Sequence, residues 1–270
     1  QDKTACEESS AGSDVYERQV TDRCNFRCTY CIPAEGVPLK KHEDILSFDE
    51  IVEIVKIGTQ LGLKKIRLTG GEPLVRKELP KLVKMIAEIE GIEDIGLTTN
   101  GVFLSQLADP LKEAGLNRVN VSLDTLNPEK FSKITRTGNI DDVLKGIDAA
   151  ILADLLPVKI NFVRIPGENE EDEKEVRKYC EAKNLKLRFI RQMNLKTGDF
   201  SVVEGGVGGN CEICNRLRLT ADGFIVPCLH SGLRYNVREL GITEAFRRAV
   251  NLKPEKGIGT ESHEFSNIGG

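Results

Sequence analysis

From Val15 onward the apolar positions switch repeatedly between short β-branched runs and stretches that place an apolar side chain every three or four residues. The runs Val15-Thr21, Lys65-Thr69, Asp94-Thr98, Arg118-Leu123, Val158-Val163 and Leu187-Arg191 predict strands. Between them, Phe48-Leu61 carries Phe48, Ile51, Val52 and Val55 on one helical face. Glu78-Ile89, Leu104-Gly115, Asp141-Ala153 and Glu170-Ala182 keep the same helical period. Strands alternating with helices predict right-handed crossovers and a parallel α/β sheet, and six repeats suit a partial barrel better than a closed eightfold one. Such sheets bind ligands at the carboxyl ends of their strands. The segments Cys24 to Cys31, Gly70-Gly71-Glu72-Pro73, Thr98-Thr99-Asn100 and Ser122-Leu123-Asp124 all follow predicted strands, so they are expected to open onto one face.

Two regions break the alternation. Residues Gln1 to Asp14 are polar, rich in Ser and acid and without period, which predicts a poorly ordered tail. After Arg191 a glycine-rich stretch, Val203-Gly209, leads to Cys211 and Cys214. Arg216-Thr220, an Ala-Asp-Gly turn and Phe224-Pro227 then read as a short hairpin delivering Cys228. The expected division is a tail over 1–14, a partial barrel over 15–193 and a small appended module over 194–270.

Charge narrows the partners. The 270 residues carry a formal net charge of −4 and a pI near 5.7, so no global basic surface points to nucleic acid or an anionic membrane. A polyanionic ligand would have to meet a local cationic cluster. With no apolar run of about 18 residues and no charged-then-apolar leader, neither a membrane span nor a secretory signal is expected, and a cytoplasmic location is the default.

Eight cysteines in such a chain point to metal binding or chemistry more than to disulfides, because the cytosol keeps thiols reduced. Six fall in two trios: Cys24, Cys28 and Cys31, then Cys211, Cys214 and Cys228. Cys180 reads as a small buried side chain on its helix, and Cys6 is given no role. Three thiolates can hold three irons of a 4Fe-4S cluster and leave the fourth open to a ligand. Structural zinc instead wants a closed shell of four ligands, and the first trio has only His42 as a weak fourth. The spacing favours iron–sulfur.

Cys24-x3-Cys28-x2-Cys31 resembles the signature of the radical S-adenosylmethionine (SAM) enzymes, and Gly70-Gly71-Glu72-Pro73 resembles their motif for the SAM amino group. Within that family, Val20 to Cys31, Lys65 to Leu74, Gly96 to Gly101, Val121 to Asp124, Cys211 to Leu219 and the terminal Gly269-Gly270 are similar to the GTP 3',8-cyclases that open molybdenum cofactor biosynthesis. The resemblance implies a partial (β/α)6 barrel with a C-terminal auxiliary module, two 4Fe-4S clusters and SAM as cofactors, and a lyase converting GTP to 3',8-cyclo-7,8-dihydro-GTP. Cys24, Cys28 and Cys31 would ligate the SAM cluster, and Cys211, Cys214 and Cys228 the auxiliary one, which binds the purine. Tyr30, Gly70, Gly71, Glu72, Ser122 and Met193 would line the SAM side. Lys65, Arg67, Thr98, Lys159, Arg188, Arg216 and Arg218 would face GTP, which supplies the local cationic cluster an acidic chain requires. No catalytic side chain is implied beyond the clusters. Implied partners are an electron donor such as flavodoxin or ferredoxin and a downstream pyranopterin-forming enzyme, with a homodimer allowed. Two other readings stay open: a radical SAM maturase acting on a peptide or small molecule, and a non-catalytic zinc or iron–sulfur protein.

The chain departs from the cyclase pattern at two places. Glu17 stands where that pattern has a phosphate-binding arginine, and Arg18, one residue on, is expected on the opposite strand face. The link from Met193 to Cys211 is also far shorter than the family's segment. Gly269-Gly270 would, by the resemblance, insert into the active site.

Overall fold

The computed structural model describes residues 15–194, 196–198, 200–206, 208–257 and 259–260, so the expected tail, Cys6 and Gly269-Gly270 lie outside the described residues. Strands β1 (Val15–Gln19), β2 (Lys65–Thr69), β3 (Asp94–Thr99), β4 (Arg118–Ser122), β5 (Lys159–Arg164) and β6 (Lys186–Arg191) alternate with helices. These are α1 (Phe48–Gln60), α2 (Leu79–Ala87), α3 (Leu104–Glu113), α4 (Pro128–Thr135), α5 (Ile140–Leu152) and α6 (Glu170–Ala182). β7 (Leu217–Leu219), β8 (Phe224–Val226), β9 (Tyr235–Asn236), α7 (Val237–Leu240) and α8 (Ile242–Asn251) follow.

Among the described residues one nine-stranded sheet runs β6-β5-β4-β3-β2-β1-β7-β8-β9, with β6 and β9 at its two edges. The first six strands pair in parallel, as repeated crossovers require. β7 also pairs in parallel with β1, and only β8 and β9 turn antiparallel. The hairpin predicted before Cys228 is therefore present, but the sheet is continuous across the boundary expected at residue 193.

Parallel strands buried on both faces normally read as unbroken apolar runs. Here they alternate: Ile66, Leu68, Ile95, Leu97, Val119, Val121, Ile160 and Phe162, on the outer face, are all buried. The concave face carries Glu17, Arg67, Thr98, Asn161 and Arg188, which line a shared cavity. Alternation likewise sends Arg18 outward. It is fully buried, its three guanidinium nitrogens have no partner among the described residues, and burial pulls its pKa down to about 9.

Local chemistry sets the helix ends. Ser47 and Glu50 form a capping box on α1, with Glu50 N to Ser47 Oγ at 3.2 Å and Ser47 N to Glu50 Oε2 at 2.7 Å. α4, which the apolar period did not announce, starts with Pro128 behind Asn127, whose side chain accepts from Lys130 N at 3.0 Å. α8 was likewise unannounced. Its Phe246 packs 5.6 Å from the Tyr16 ring on the outer face of β1.

Candidate active site

β1 ends directly in the first cysteine loop. Cys31 N and Ile32 N both donate to Cys28 O at 3.0 Å, which turns the chain so that Cys28 and Cys31 share one side. The end of α4 buttresses this loop: Arg27 N donates to Thr135 O at 3.0 Å, Thr29 N to Ile134 O at 2.9 Å, and Arg136 Nη1 to Arg27 O at 2.6 Å. The three thiols are partly buried and free. Burial, then the neighbouring Cys24 and Cys31, pushes the Cys28 thiol up to about 12, and burial followed by Cys24 takes Cys31 to about 11. Three bare thiolates would repel one another here, and bound irons remove that cost. His42 is exposed on a separate turn. A polynuclear cluster, which spreads its thiolates over several irons, fits this donor set better than zinc.

The Gly70-Glu72 loop holds the cysteine loop from behind. Gly71 N donates to Thr21 O at 2.9 Å and Glu72 N to Arg23 O at 2.8 Å. A Cβ at Gly71 would stand 2.4 Å from Arg23 O, so only glycine permits this approach. Glu72 is buried, and its carboxylate accepts from Leu74 N at 2.9 Å, Thr99 Oγ1 at 2.7 Å and Asn100 N at 2.7 Å. It therefore knits three strand-end loops together.

Burial dominates those bonds and raises the Glu72 pKa to about 7 from 4.5. A raised carboxyl contributes stability that is complete below its unfolded value and is lost as pH rises through its folded one, here between about 4.5 and about 7. The change is on the order of 3 kcal/mol. Glu72→Gln should abolish that slope while setting an amide NH2 against the Asn100 N–H, at roughly 2 kcal/mol. Thermal melts across the window should show wild type losing ground to the variant as pH rises. Parallel curves would contradict the assignment.

Beside Cys28 a small pocket is lined by Phe26, Tyr30, Asn100, Ser122 and Asp124. Tyr30 Oη donates to Asp124 Oδ2 at 2.7 Å, and Val163 N donates to Asp124 Oδ1 at 2.8 Å. Asp124 thus fixes the ring that the cysteine loop projects, while Ser122 stays exposed to the pocket.

The larger cavity lies over the concave face of β2, β1 and β7. Parallel register sets Glu17 beside Arg67 on one side and Arg218 on the other, so all three project from the same face. Arg67 Nη1 lies 2.8 Å from Glu17 Oε1, Arg218 Nη2 2.7 Å from Oε2, and Arg216 Nη1 3.8 Å from Oε1. Burial alone would raise the Glu17 pKa, but Arg218, Arg67 and Arg216 more than offset it and hold it near 2. Arg188 closes the array from β6. Burial, then Arg67, Arg118 and Arg216, lowers its pKa to about 10. Among the described residues the buried Nε atoms of Arg67, Arg188 and Arg218 have no hydrogen-bond partner, so these guanidinia keep donor capacity that Glu17 does not use.

Cys211, Cys214 and Cys228 border the same cavity. Cys214 N donates to Cys211 O at 3.2 Å. Lys253, just beyond α8, donates to Arg216 O at 2.7 Å and also to Pro227 O, and so ties the strand after Cys214 to the residue before Cys228. Its ammonium also stands against the Cys214 and Cys228 thiols, as suits an anionic cluster held there. The short link reaches this module because Glu204 folds back onto β6, exchanging bonds with Phe189 at 3.0 and 3.1 Å.

The cavity gathers Arg67, Thr98, Arg188, Arg216 and Arg218 with the second trio, and the small pocket gathers Tyr30 and Ser122 with Cys28. Met193, expected on the SAM side, lines the larger cavity instead. Lys65 and Lys159 line neither of these two pockets. Lys159 lies further along the same face, where burial followed by Arg188, Arg118 and Arg67 lowers its pKa to about 8. Arg118, unread in the sequence, joins this cluster because Gly96 leaves room: a Cβ there would meet its Nη1 at 2.7 Å. Also unread were Asn161, Phe200 and His230, the last two stacked at 4.3 Å. Only His230, two residues past Cys228, had a signal in the sequence.

The model of the radical SAM superfamily matches residues 19–180. The chain is 38% identical to the GTP 3',8-cyclase of Alkaliphilus oremlandii, over 95% of this chain and 98% of that protein. It is 42% identical to that of Moorella thermoacetica, over 89% and 93%. The first alignment spans 312 positions against the 270 residues here, so that relative carries segments this chain lacks. Among solved structures, anSMEcpe with bound AdoMet aligns at a TM-score of 0.66 and 16% identity, over 94% of this chain and 87% of that one. Methylornithine synthase aligns at 0.56 and 16%, over 68% and 55%, and both likenesses concern the fold.

Proposed function

The chain belongs to the radical SAM superfamily, and we propose that it acts as a GTP 3',8-cyclase, forming 3',8-cyclo-7,8-dihydro-GTP for molybdenum cofactor biosynthesis. The observation that carries this reading is the guanidinium array beside the second cysteine trio, with buried Nε donors still unpaired. A triphosphate needs several charge-assisted donors at once, and arginine offers them as planar forks.

Cys24, Cys28 and Cys31 would hold one 4Fe-4S cluster with SAM, which together supply a carbon-centred radical by one-electron cleavage of the sulfonium bond. Tyr30, oriented by Asp124, and Ser122 shape the pocket on that side, and the glycine loop fixes its distance from β1. Cys211, Cys214 and Cys228, which border the larger cavity, would hold the second cluster and offer the guanine an open iron. Arg67, Arg188, Arg216 and Arg218 would then clamp the phosphates and turn the ribose toward the first cluster. Thr98, fixed by Asn120 Nδ2 at 3.2 Å, lines the cavity between. An electron donor such as flavodoxin or ferredoxin and a downstream pyranopterin-forming enzyme complete the expected setting, in the cytoplasm. Among the described residues no helix is long and apolar enough to cross a membrane.

Anaerobically reconstituted protein should hold about eight irons per chain, four in each cluster. Reduced and given SAM, it should release 5'-deoxyadenosine faster with GTP than without, alongside a cyclised nucleotide. Release indifferent to GTP, with no cyclised product, would refute the cyclase reading.

A further inference from the structure

Glu17 is out of place in a cavity built for a polyanion. It rises from the strand at the centre of the guanidinium array, is nearly buried, and contacts Arg67, Arg216 and Arg218 at 2.8, 3.8 and 2.7 Å. The carboxylate cannot swing clear, because β2 and β7 flank its strand and keep both partners in register. It occupies donors a phosphate would use and adds a fixed negative charge where phosphate charge must accumulate. It does not use every donor, since among the described residues the Nε atoms of Arg67, Arg188 and Arg218 have no hydrogen-bond partner.

Resting on the GTP reading, we propose that Glu17 is a resident counter-anion that sets phosphate specificity, weakening the hold on each added phosphate charge so that this chain discriminates poorly between guanosine tri- and diphosphate. Two effects oppose each other. The carboxylate preorganises the guanidinia, which favours any anion, and it repels the incoming charge, which disfavours the triphosphate most. Strand register keeps Arg67 and Arg218 beside position 17, and both side chains are largely buried there, so part of the preorganisation survives loss of the ion pairs. Repulsion is left as the larger effect.

Dissociation constants for GTP and GDP, measured anaerobically on the reconstituted holoenzyme at fixed ionic strength, provide the test. Glu17→Gln keeps the shape and removes the charge. The ratio of the GDP to the GTP constant should rise about tenfold, the scale of one phosphate charge seen from a half-screened carboxylate. Glu17→Asp, which keeps the charge, should stay within about twofold of wild type. If the Gln variant fails to assemble, Glu17→Ser carries the same expectation. A ratio that ignores residue 17, or falls when the charge is removed, overturns this inference while leaving the cyclase reading intact. A chain that binds neither nucleotide overturns both.

Discussion

Gly71→Ala is expected to destroy the first cluster site and with it all SAM cleavage, although the substitution adds only one uncharged methyl group. The new Cβ would sit 2.4 Å from Arg23 O, 2.7 Å from Arg23 C and 3.0 Å from Asp22 O. All three are backbone atoms, so no rotamer change relieves the clash. Relief requires separating the loops and giving up Gly71 N to Thr21 O and Glu72 N to Arg23 O, at 2.9 and 2.8 Å. Overpacking of this kind costs about 1–3 kcal/mol, and the lost bonds add about 1 kcal/mol each. Cys24 is bonded directly to Arg23, so the displacement passes straight to the thiol. Iron content should fall from about eight to about four per chain as the first cluster is lost and the second retained. Full iron and wild-type deoxyadenosine release in the variant would contradict the glycine's role as spacer.

Arg218→Ala should cut GTP affinity on the order of 100-fold, since it removes charge-assisted bonds of about 1.5–3 kcal/mol from the phosphates. It also removes the strongest of the charges that offset the burial of Glu17. The carboxylate would then lean more heavily on Arg67, leaving still fewer donors for the nucleotide. SAM cleavage without substrate should change little, because Arg218 lines the larger cavity and not the pocket of Tyr30 and Ser122. Arg218→Lys keeps the charge without the planar fork and should fall between. Nucleotide binding and uncoupled deoxyadenosine release, measured side by side, check this. Equal loss of both would show that the residue supports the fold instead.

The six parallel strands and five of the helices were legible because each carries its own period. So was the direction of Arg18, since a one-residue step on a strand reverses the face. The two cysteine trios stood out by spacing, whereas the role of the glycine loop came only from its resemblance to the radical SAM motif. Contacts between distant segments were not legible. Leu217–Leu219 reads as a strand, but nothing local says that it pairs with β1 some two hundred residues earlier, and that pairing is what brings Arg218 to Glu17. Arg118 lies over bare Gly96 on the next strand and pairs with Asp94, a placement that follows from register. Met193 follows β6 where the chain leaves the sheet, and its expected place came from the resemblance, not from any local period. Glu17 was visible as a departure, but its three partners came from two distant stretches of sequence, Arg67 on β2 and Arg216 with Arg218 at β7.

That the two clusters act on one GTP molecule across the cavity is tested most directly with GTP carrying deuterium at C3'. A 3',8 bond requires the hydrogen at C3' to leave, and the arginine clamp would aim that position at the SAM pocket. Mass spectrometry should find the deuterium in the 5'-deoxyadenosine released by the reduced, reconstituted protein. Unlabelled deoxyadenosine from labelled GTP would contradict the assignment.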